Sequence, residues 1–210
     1  MLKILIVDDH AVVRAGLKQI LAETPDMEVS GEAATSREAL KMAANAHFDL
    51  VLLDISLPDM SGLDVLKELH REDSDRPILM LSMYPEEQYA IRALKAGAKG
   101  YLTKESAPAE LLSAIRKVCL GGRYISLALA EKLACYLGTD SDRSPHQRLS
   151  DREYQVMMLI ASGKTVTEIA EELTLSTKTI STNRSRALQK MGMNNNAEFT
   201  YYAVKEGLVD

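Results

Sequence analysis

The stretch LVLLD at residues 50–54 places four apolar residues directly before a carboxylate, Asp54. An apolar run without alternation is typical of a strand that is buried on both faces of a sheet. A carboxylate that ended such a strand alone would be costly to bury, by several kcal/mol. We therefore expect Asp54 either to meet a cation or to lie at an exposed edge with a chemical task.

Similar runs recur along the first half of the chain. KILIV at 3–7 and ILML at 78–81 are the clearest, and weaker runs lie at 29–33 and 99–102. Stretches with helical spacing separate them, and this alternation implies right-handed crossovers and a parallel sheet with helices on both faces. We predict an α/β domain over residues 1–120, a doubly wound five-stranded parallel sheet of the flavodoxin-like class.

The pattern changes after residue 120. Residues 121–148 are predicted to form a linker with one helix at 127–137 and a polar, proline-containing segment at its end. Residues 149–210 show no strand pattern, so we predict an all-α domain of four helices. Their predicted bounds are 151–162, 166–173, 177–191 and 196–206.

Helix starts in this second domain are marked by S/T-x-x-E sequences. Ser150 with Glu153 and Thr165 with Glu168 predict capping boxes, in which side chain and backbone satisfy each other's hydrogen bonds. Ser176 is predicted to cap the third helix.

Composition favours a globular chain, because 46% of the residues are hydrophobic. No run approaches the roughly 18 apolar residues of a membrane span, and the start MLKILIVDD turns acidic too early for a secretory signal. We predict a cytoplasmic protein with no membrane partner. Cys119 and Cys135 lack metal or redox spacing and are expected to be free thiols.

Charge is distributed unevenly around a formal net charge of -5. Residues 1–120 hold 14 Lys or Arg against 19 Asp or Glu, whereas residues 149–210 hold 7 against 8. No acidic residue lies between Leu173 and Ala197, so a local basic surface can exist despite the negative total. The cations of that segment are Lys178, Arg184, Arg186 and Lys190.

Five polar residues follow the predicted strands at their carboxyl ends, where open parallel sheets bind ligands. The acidic ones would converge and repel one another unless a divalent cation shared their oxygens, and Mg²⁺ suits such a site. An ion of this kind stabilises a phosphoryl group in transfer, which makes Asp54 a candidate nucleophile and Lys104 a candidate partner of a phosphoryl oxygen. The five residues are Asp8, Asp9, Asp54, Ser82 and Lys104.

Residues 1 to about 120 resemble the receiver domain of a two-component response regulator. The resemblance lies in Asp8 and Asp9, in DISLPDMSG at Asp54, in LSMY at Ser82 and in KGYLTK, which contains Tyr101 and Lys104. It implies that Asp54 is the phosphoacceptor and that a sensor histidine kinase is the phosphodonor.

The resemblance also implies a metal site and a switch. Asp9, Asp54 and the backbone carbonyl of Ser56 would hold Mg²⁺, with Asp8 acting through water. After phosphorylation the Ser82 hydroxyl would turn to a phosphoryl oxygen, and the ring of Tyr101 would move into the vacated space.

The segments LSDRE, IASGKTVTEIA and LSTKTI resemble the four-helix DNA-binding domain of NarL/FixJ regulators, which have a LuxR-type helix-turn-helix. The helix at 177–191 is then the recognition helix. Family positions imply base-edge contacts for Ser181, Thr182 and Ser185. Asn183 stands where members often carry His or Tyr, and it could contact a phosphate or read adenine. Phosphate or rim contacts are implied for Lys178, Thr179, Arg184, Arg186 and Lys190.

One recognition helix offers few base contacts, so we expect a homodimer on two-fold double-stranded DNA when the chain is phosphorylated or DNA-bound. We predict a phosphorylation-controlled transcription factor that catalyses only its own phosphoryl transfer and hydrolysis. RNA polymerase is a further candidate partner. Control could act by releasing the DNA-binding domain from the receiver or by promoting pairing.

Other functions fit the sequence less well. A phosphatase of the haloacid-dehalogenase type needs a second Asp two residues after the nucleophile, where this chain has Ser56. An interaction protein with an inactive receiver is disfavoured by the intact acidic set. Neither GxGxxG nor GxxxxGK follows a strand, which disfavours a nucleotide-binding enzyme.

Overall fold

The computed structural model describes residues 1–126, 129–131 and 144–209. The chain divides into two compact units, Met1–Leu133 and Ala134–Asp210, and each has its own buried apolar residues. Within the described residues, no helix combines the length and the apolar character that crossing a membrane requires.

The first unit alternates five strands with five helices. Every strand pair is parallel, and the strand order is β2-β1-β3-β4-β5. This confirms the predicted doubly wound sheet, whose order reverses between β1 and β3. The elements are β1 Leu2–Val7, α1 Ala11–Ala22, β2 Met27–Ala33, α2 Ser36–Asn45, β3 Leu50–Asp54, α3 Gly62–Glu72, β4 Ile78–Ser82, α4 Glu86–Lys95, β5 Gly100–Thr103 and α5 Ala107–Cys119.

The central strands account for the apolar runs in the sequence. Every residue of β3 and β4 is buried, because helices cover both faces of the sheet. On one face, Leu17 and Leu21 of α1 share a helical stripe and join Leu111 and Ile115 of α5 in a common core cluster. This packing leaves only the ends of the strands open to ligands.

A close approach of two backbone segments fixes the loop after β3. The Gly62 amide donates to the Ile55 carbonyl at 2.8 Å, and a Cβ at residue 62 would lie 1.8 Å from the Asp54 carbonyl oxygen. Only glycine fits there. The loop is also anchored by Asp59, whose carboxylate accepts the amides of Ser36 and Arg37 at 2.9 and 3.1 Å.

The chain beyond α5 stays attached to the sheet. The Tyr124 amide donates to the Lys99 carbonyl at 2.9 Å, and the Tyr101 amide donates to the Tyr124 carbonyl at 3.2 Å, which forms a parallel bridge beside β5. Residues past the predicted boundary at 120 thus cover part of the β5 edge. Of the helix predicted at 127–137, residues 129–131 are helical and the rest lies outside the described residues.

The second unit contains a short 3₁₀ turn and four helices. Both predicted capping boxes are present, and the Ser176 side chain accepts the Thr179 amide, so the predicted helix starts are confirmed. Observed ends lie within one residue of the predicted ones. The elements are the turn Pro145–Arg148, α6 Asp151–Ala161, α7 Val166–Glu172, α8 Thr177–Met191 and α9 Asn196–Lys205.

Candidate functional site

Three carboxylates meet where β1 and β3 end, and we call them the carboxylate pocket: Asp8, Asp9 and Asp54. Asp8 and Asp54 are 1% and 2% exposed, whereas Asp9 is partly exposed. One potential ligand atom from each, together with one from His10, lies within 4.8 Å of the others. The structure thus brings the three predicted acidic residues together.

Lys104, directly after β5, compensates the negative charge of the buried carboxylates. Lys104 Nζ lies 2.7 Å from Asp8 Oδ2 and 2.8 Å from Asp54 Oδ2. The Lys104 amide donates to the Ser82 carbonyl at 2.7 Å, which ties the end of β5 to the end of β4. Burial alone would lower the pKa of Lys104, but the negative charge of Asp54 and the hydrogen bonds to both carboxylates raise it. Asp54 therefore meets a cation, which is one of the two alternatives expected from its position after an apolar strand.

Burial also sets the protonation of Asp54. Removal from water raises the pKa of Asp54 to about 6, because the attraction of Lys104 offsets desolvation only in part and the charge of Asp8 adds to the rise. Above that pH the side chain is ionised, and an ionised carboxylate can act as a nucleophile.

The pocket has oxygens available to a divalent cation. Asp9 Oδ1 is buried and accepts no hydrogen bond, and the buried Asp8 Oδ2 is in contact with Lys104. Lys104 can neutralise only part of the charge of three carboxylates. Since hard divalent cations prefer carboxylate oxygens, the residues present fit such an ion.

The two predicted switch residues lie side by side on β4 and β5. Ser82 is buried and its Oγ accepts the Tyr84 amide at 3.1 Å. Tyr101 is 0% exposed, and its hydroxyl donates to the Tyr84 carbonyl at 2.8 Å. Burial raises the pKa of Tyr101, so the hydroxyl stays a donor. The ring already occupies an inward position, whereas the Ser82 hydroxyl is bonded to the backbone of Tyr84.

Two residues near the pocket were not predicted. His10 is at the N-cap of α1, and its Nδ1 lies 2.7 Å from Asp9 Oδ1. The second is Tyr84, whose hydroxyl accepts a hydrogen bond from the Ser56 hydroxyl at 3.2 Å, between the loops that follow β4 and β3. The position of His10 directly after two Asp residues was a usable signal, but nothing local in the sequence indicates the partner of Tyr84.

A second candidate site is the polar face of α8, an open, shallow groove on the helix surface. Its residues recur at spacings of three and four, so they lie on one side of the helix. Five of the nine predicted DNA-contacting residues line it, and Gln189 was missed although it follows Ser185 by four positions. The lining residues are Lys178, Ser181, Thr182, Ser185, Arg186 and Gln189.

The other predicted residues of α8 form bonds within their own domain. Lys190 Nζ donates to Glu153 Oε2 at 2.6 Å, and Glu153 is a buried member of the first capping box. Arg184 Nε donates to Asn196 Oδ1 at 2.5 Å. Asn183 Nδ2 donates to the Thr179 carbonyl at 3.0 Å.

Lys178 and Arg186 remain as the cations of the groove. Within the described residues neither of them forms an ion pair, whereas Lys190 does. A polyanion that approached this face would therefore meet two cations and several short hydroxyl side chains.

Comparison with known proteins was consistent over both units. The family described as response regulator receiver domain matches residues 4–116, and that described as bacterial regulatory proteins, luxR family, matches residues 147–203. The response regulator UvrY of Escherichia coli strain K12 is 38% identical over 209 residues, which cover 99% of this chain and 96% of UvrY. The response regulator GacA of Pseudomonas aeruginosa is 36% identical over 211 residues, which cover 100% of this chain and 99% of GacA.

A solved structure resembles the whole chain. RcsB from Salmonella enterica serovar Typhimurium, bound to promoter rprA in the presence of the phosphomimetic BeF3-, has a TM-score of 0.64 and 27% sequence identity. The match covers 97% of this chain and 99% of that chain.

Proposed function

Because the chain belongs to the DNA-binding response regulators of two-component systems, with a receiver and a LuxR-type domain, we propose that Asp54 is its phosphoacceptor and α8 its recognition helix. The observation that carries this assignment is the contact of buried Asp54 with Lys104 beside two further carboxylates. Among the described acidic residues, Asp54 and Asp8 share burial at a strand end, contact with Lys104 and membership of the acidic cluster, and the resemblance to receiver domains assigns the phosphoacceptor role to Asp54.

In the proposed reaction, an oxygen of ionised Asp54 attacks the phosphorus of a phosphohistidine on a sensor kinase. The P–N bond breaks as the new P–O bond forms, and Asp54 becomes an acyl phosphate. Lys104 Nζ, 2.8 Å from Asp54 Oδ2, lies where it can neutralise a phosphoryl oxygen. Beyond this transfer and the hydrolysis of the acyl phosphate, which releases inorganic phosphate and restores Asp54, the chain is proposed to have no enzymatic activity.

Mg²⁺ is the proposed metal, because the donors are hard oxygens. Asp9, Asp54 and the backbone carbonyl of Ser56 would hold it, with Asp8 acting through water. When bound, the ion supplies positive charge to phosphoryl oxygens during the transfer.

The kinase needs access to Asp54, and an apolar groove between α1 and α5 opens beside Lys104. Val12, next to Val13 of the groove, is 85% exposed, so a partner protein that binds here would bury apolar surface. We assign this groove to the phosphodonor protein because it adjoins the reacting residues. Its lining residues include Val13, Leu17, Ile20, Leu81, Lys104 and Pro108.

The output is proposed to pass from the pocket to DNA. A phosphoryl group would offer the Ser82 hydroxyl a charged acceptor and draw its oxygen away from the Tyr84 amide, and the buried Tyr101 ring would then be locked inward. Phosphorylation would favour a homodimer on a two-fold DNA site in the cytoplasm, with RNA polymerase as a further candidate partner.

On α8, Lys178 and Arg186 are proposed to contact phosphates, and Ser181, Thr182 and Ser185 to contact base edges. Asn183 and Thr179, which lie beside the groove, are proposed to contact DNA at the rim of the interface. Arg184 and Lys190 are proposed to reach phosphates only if they leave their partners in the domain.

The test of the phosphoacceptor is covalent labelling with acetyl phosphate and Mg²⁺, followed by intact-mass and peptide mass spectrometry. The wild-type chain should gain one phosphoryl group on Asp54, and chelation of Mg²⁺ should abolish the gain. Asp54→Asn should remain unmodified, whereas Asp64→Asn, a change on the exposed side of α3, should label normally. Labelling of Asp54→Asn at another residue would contradict the assignment.

A further inference from the structure

We propose that His10 is an additional metal ligand of the carboxylate pocket, and that its nitrogen makes the site prefer a first-row transition metal ion such as Mn²⁺ over Mg²⁺. The inference rests on the proposed function, because it describes the same metal site in more detail. It adds a specificity-determining residue to the three acidic residues and the carbonyl already assigned.

The position of the imidazole is that of a neighbouring ligand. His10 Nδ1 lies 2.7 Å from Asp9 Oδ1 and 3.2 Å from Asp8 Oδ1. An octahedral ion with metal–ligand bonds of about 2.1 Å places adjacent ligand atoms about 3 Å apart. His10 Nδ1 and Asp9 Oδ1 thus have the spacing of two adjacent ligands of one ion, and Asp8 lies close enough to reach the same ion through water.

His10 Nδ1 is in close contact with the buried Oδ1 of Asp9. Asp9 Oδ1 is buried and accepts no hydrogen bond, although the imidazole nitrogen is only 2.7 Å away. A nitrogen and a carboxylate oxygen at this distance can both bind one cation. Asp8 Oδ1 accepts the His10 amide at 2.9 Å and lies within hydrogen-bond distance of His10 Nδ1, at 3.2 Å.

The backbone holds the ring in this place. His10 occupies the N-cap of α1 with φ -83° and ψ 109°, yet its side chain makes no capping hydrogen bond to the helix. The ring turns instead towards the carboxylates, and 60% of the side chain is exposed. A metal ligand must offer an electron pair at Nδ1, and in that tautomer the proton lies on Nε2, where the exposed side chain can meet water.

The chemistry of the ligands then determines which metal ion binds more tightly because of His10. Mg²⁺ favours oxygen ligands and retains water, so an imidazole adds little to its binding. Imidazole nitrogen suits the first-row transition metals, which also accept carboxylates. The pocket with His10 is therefore a mixed nitrogen and oxygen site.

Pulsed EPR of the full chain with Mn²⁺ tests the proposal directly. The electron spin-echo envelope should show modulation from a coordinated ¹⁴N nucleus in the wild-type protein and none in His10→Ala. By calorimetry, His10→Ala should weaken Mn²⁺ binding at least about tenfold and Mg²⁺ binding less than about twofold. His47→Ala is the matched control, because His47 is 80% exposed and pairs with Asp49 outside the pocket.

The outcomes separate this inference from the proposed function. Absence of ¹⁴N modulation in the wild-type protein, or an equal loss of Mn²⁺ and Mg²⁺ affinity in His10→Ala, overturns the ligand role even if Asp54 is still phosphorylated with Mg²⁺. Modulation that disappears only in His10→Ala supports it. Failure of Asp54 to accept a phosphoryl group with either metal would instead contradict the proposed function.

Discussion

Asp54 is a buried acid whose ionisation opposes folding. Its pKa of about 6 in the folded chain lies above the usual 3.8, so the native state holds this proton more tightly than the unfolded chain. The resulting stabilisation is fully present below about pH 4 and is lost as the pH rises through about 6. A shift of this size corresponds to about 3 kcal/mol.

We predict that Asp54→Asn is more stable than the wild type at pH 8, by about 1–3 kcal/mol, because it removes the buried charge. The difference in unfolding free energy, measured in urea without divalent cations, should shrink as the pH approaches 4. Added Mg²⁺ should narrow the gap at pH 8, since it binds the ionised wild-type side chain. A gap that does not change with pH would mean that burial of the charge is not its cause.

Gly62 is predicted to be irreplaceable for steric reasons. Gly62→Ala should lower the unfolding free energy by more than about 3 kcal/mol, because its Cβ would lie 1.8 Å from the Asp54 carbonyl oxygen. Gly16→Ala is the control: no atom lies within 4 Å of its added Cβ, and alanine should stabilise α1 by up to about 1 kcal/mol. Equal effects of the two changes in urea unfolding would refute the steric argument.

At the scale of single residues, the sequence was informative where a charge conflicted with its surroundings. Asp54 after four apolar residues predicted either a cation or an exposed edge with a chemical task, and Lys104 lies beside it. The contact of Tyr84 with Ser56 could not be derived in the same way, because it depends on a distance to a residue on another segment, whereas His10 directly follows Asp8 and Asp9. A local pattern holds no such distance.

Among the elements, α8 carries cations of two kinds: Lys178 and Arg186 line the groove, whereas Lys190 pairs with Glu153. We predict that Lys178→Ala and Arg186→Ala each weaken binding to duplex DNA and reduce the slope of log affinity against log salt by about 1, with unchanged melting temperature. Both side chains line the groove and form no ion pair among the described residues. Fluorescence anisotropy at several salt concentrations gives the slope.

Lys190→Ala is the comparison on the same helix, and its expected effect is on folding. Burial would raise the pKa of Glu153, but the hydrogen bonds from Lys190 and from the Ser150 amide lower it. Loss of the partly exposed Lys190 should therefore cost about 1 kcal/mol in unfolding free energy, after allowance for solvent screening. If Lys190→Ala weakened DNA binding as much as Lys178→Ala at full stability, the division between the two faces would be wrong.

The bounds of the helices were predictable because their starts are local. Ser150, Thr165 and Ser176 each bond to a backbone amide three residues away, so the signal lies within one turn. The bonds of Lys190 and Arg184 reach other helices, and no spacing along α8 could distinguish them from cations that face solvent.

On the scale of the whole chain, the prediction of a two-component response regulator with a LuxR-type domain is confirmed by the family matches at residues 4–116 and 147–203. Both halves carry motifs whose residues are close in sequence, which explains why they could be predicted. The single bridge at Tyr124 has no apolar run or cap to mark it, so the sequence placed the end of the first domain earlier, at residue 120.

The Tyr124 bridge affects where a fragment that contains only the receiver domain should end. A fragment ending at residue 120 would leave the Lys99 carbonyl and the Tyr101 amide without their bonds to Tyr124. We predict that it unfolds at lower urea and self-associates more than a fragment ending at residue 131, because an uncovered strand edge recruits other strands. Urea titration and size-exclusion chromatography would show it, and identical behaviour would make the bridge dispensable.

Tyr124 thus gives practical guidance for exchanging modules between regulators of this kind. A chimera that joins this receiver to a foreign DNA-binding domain should keep the native chain through residue 131. The foreign sequence then begins after the Tyr124 bridge that covers part of the β5 edge.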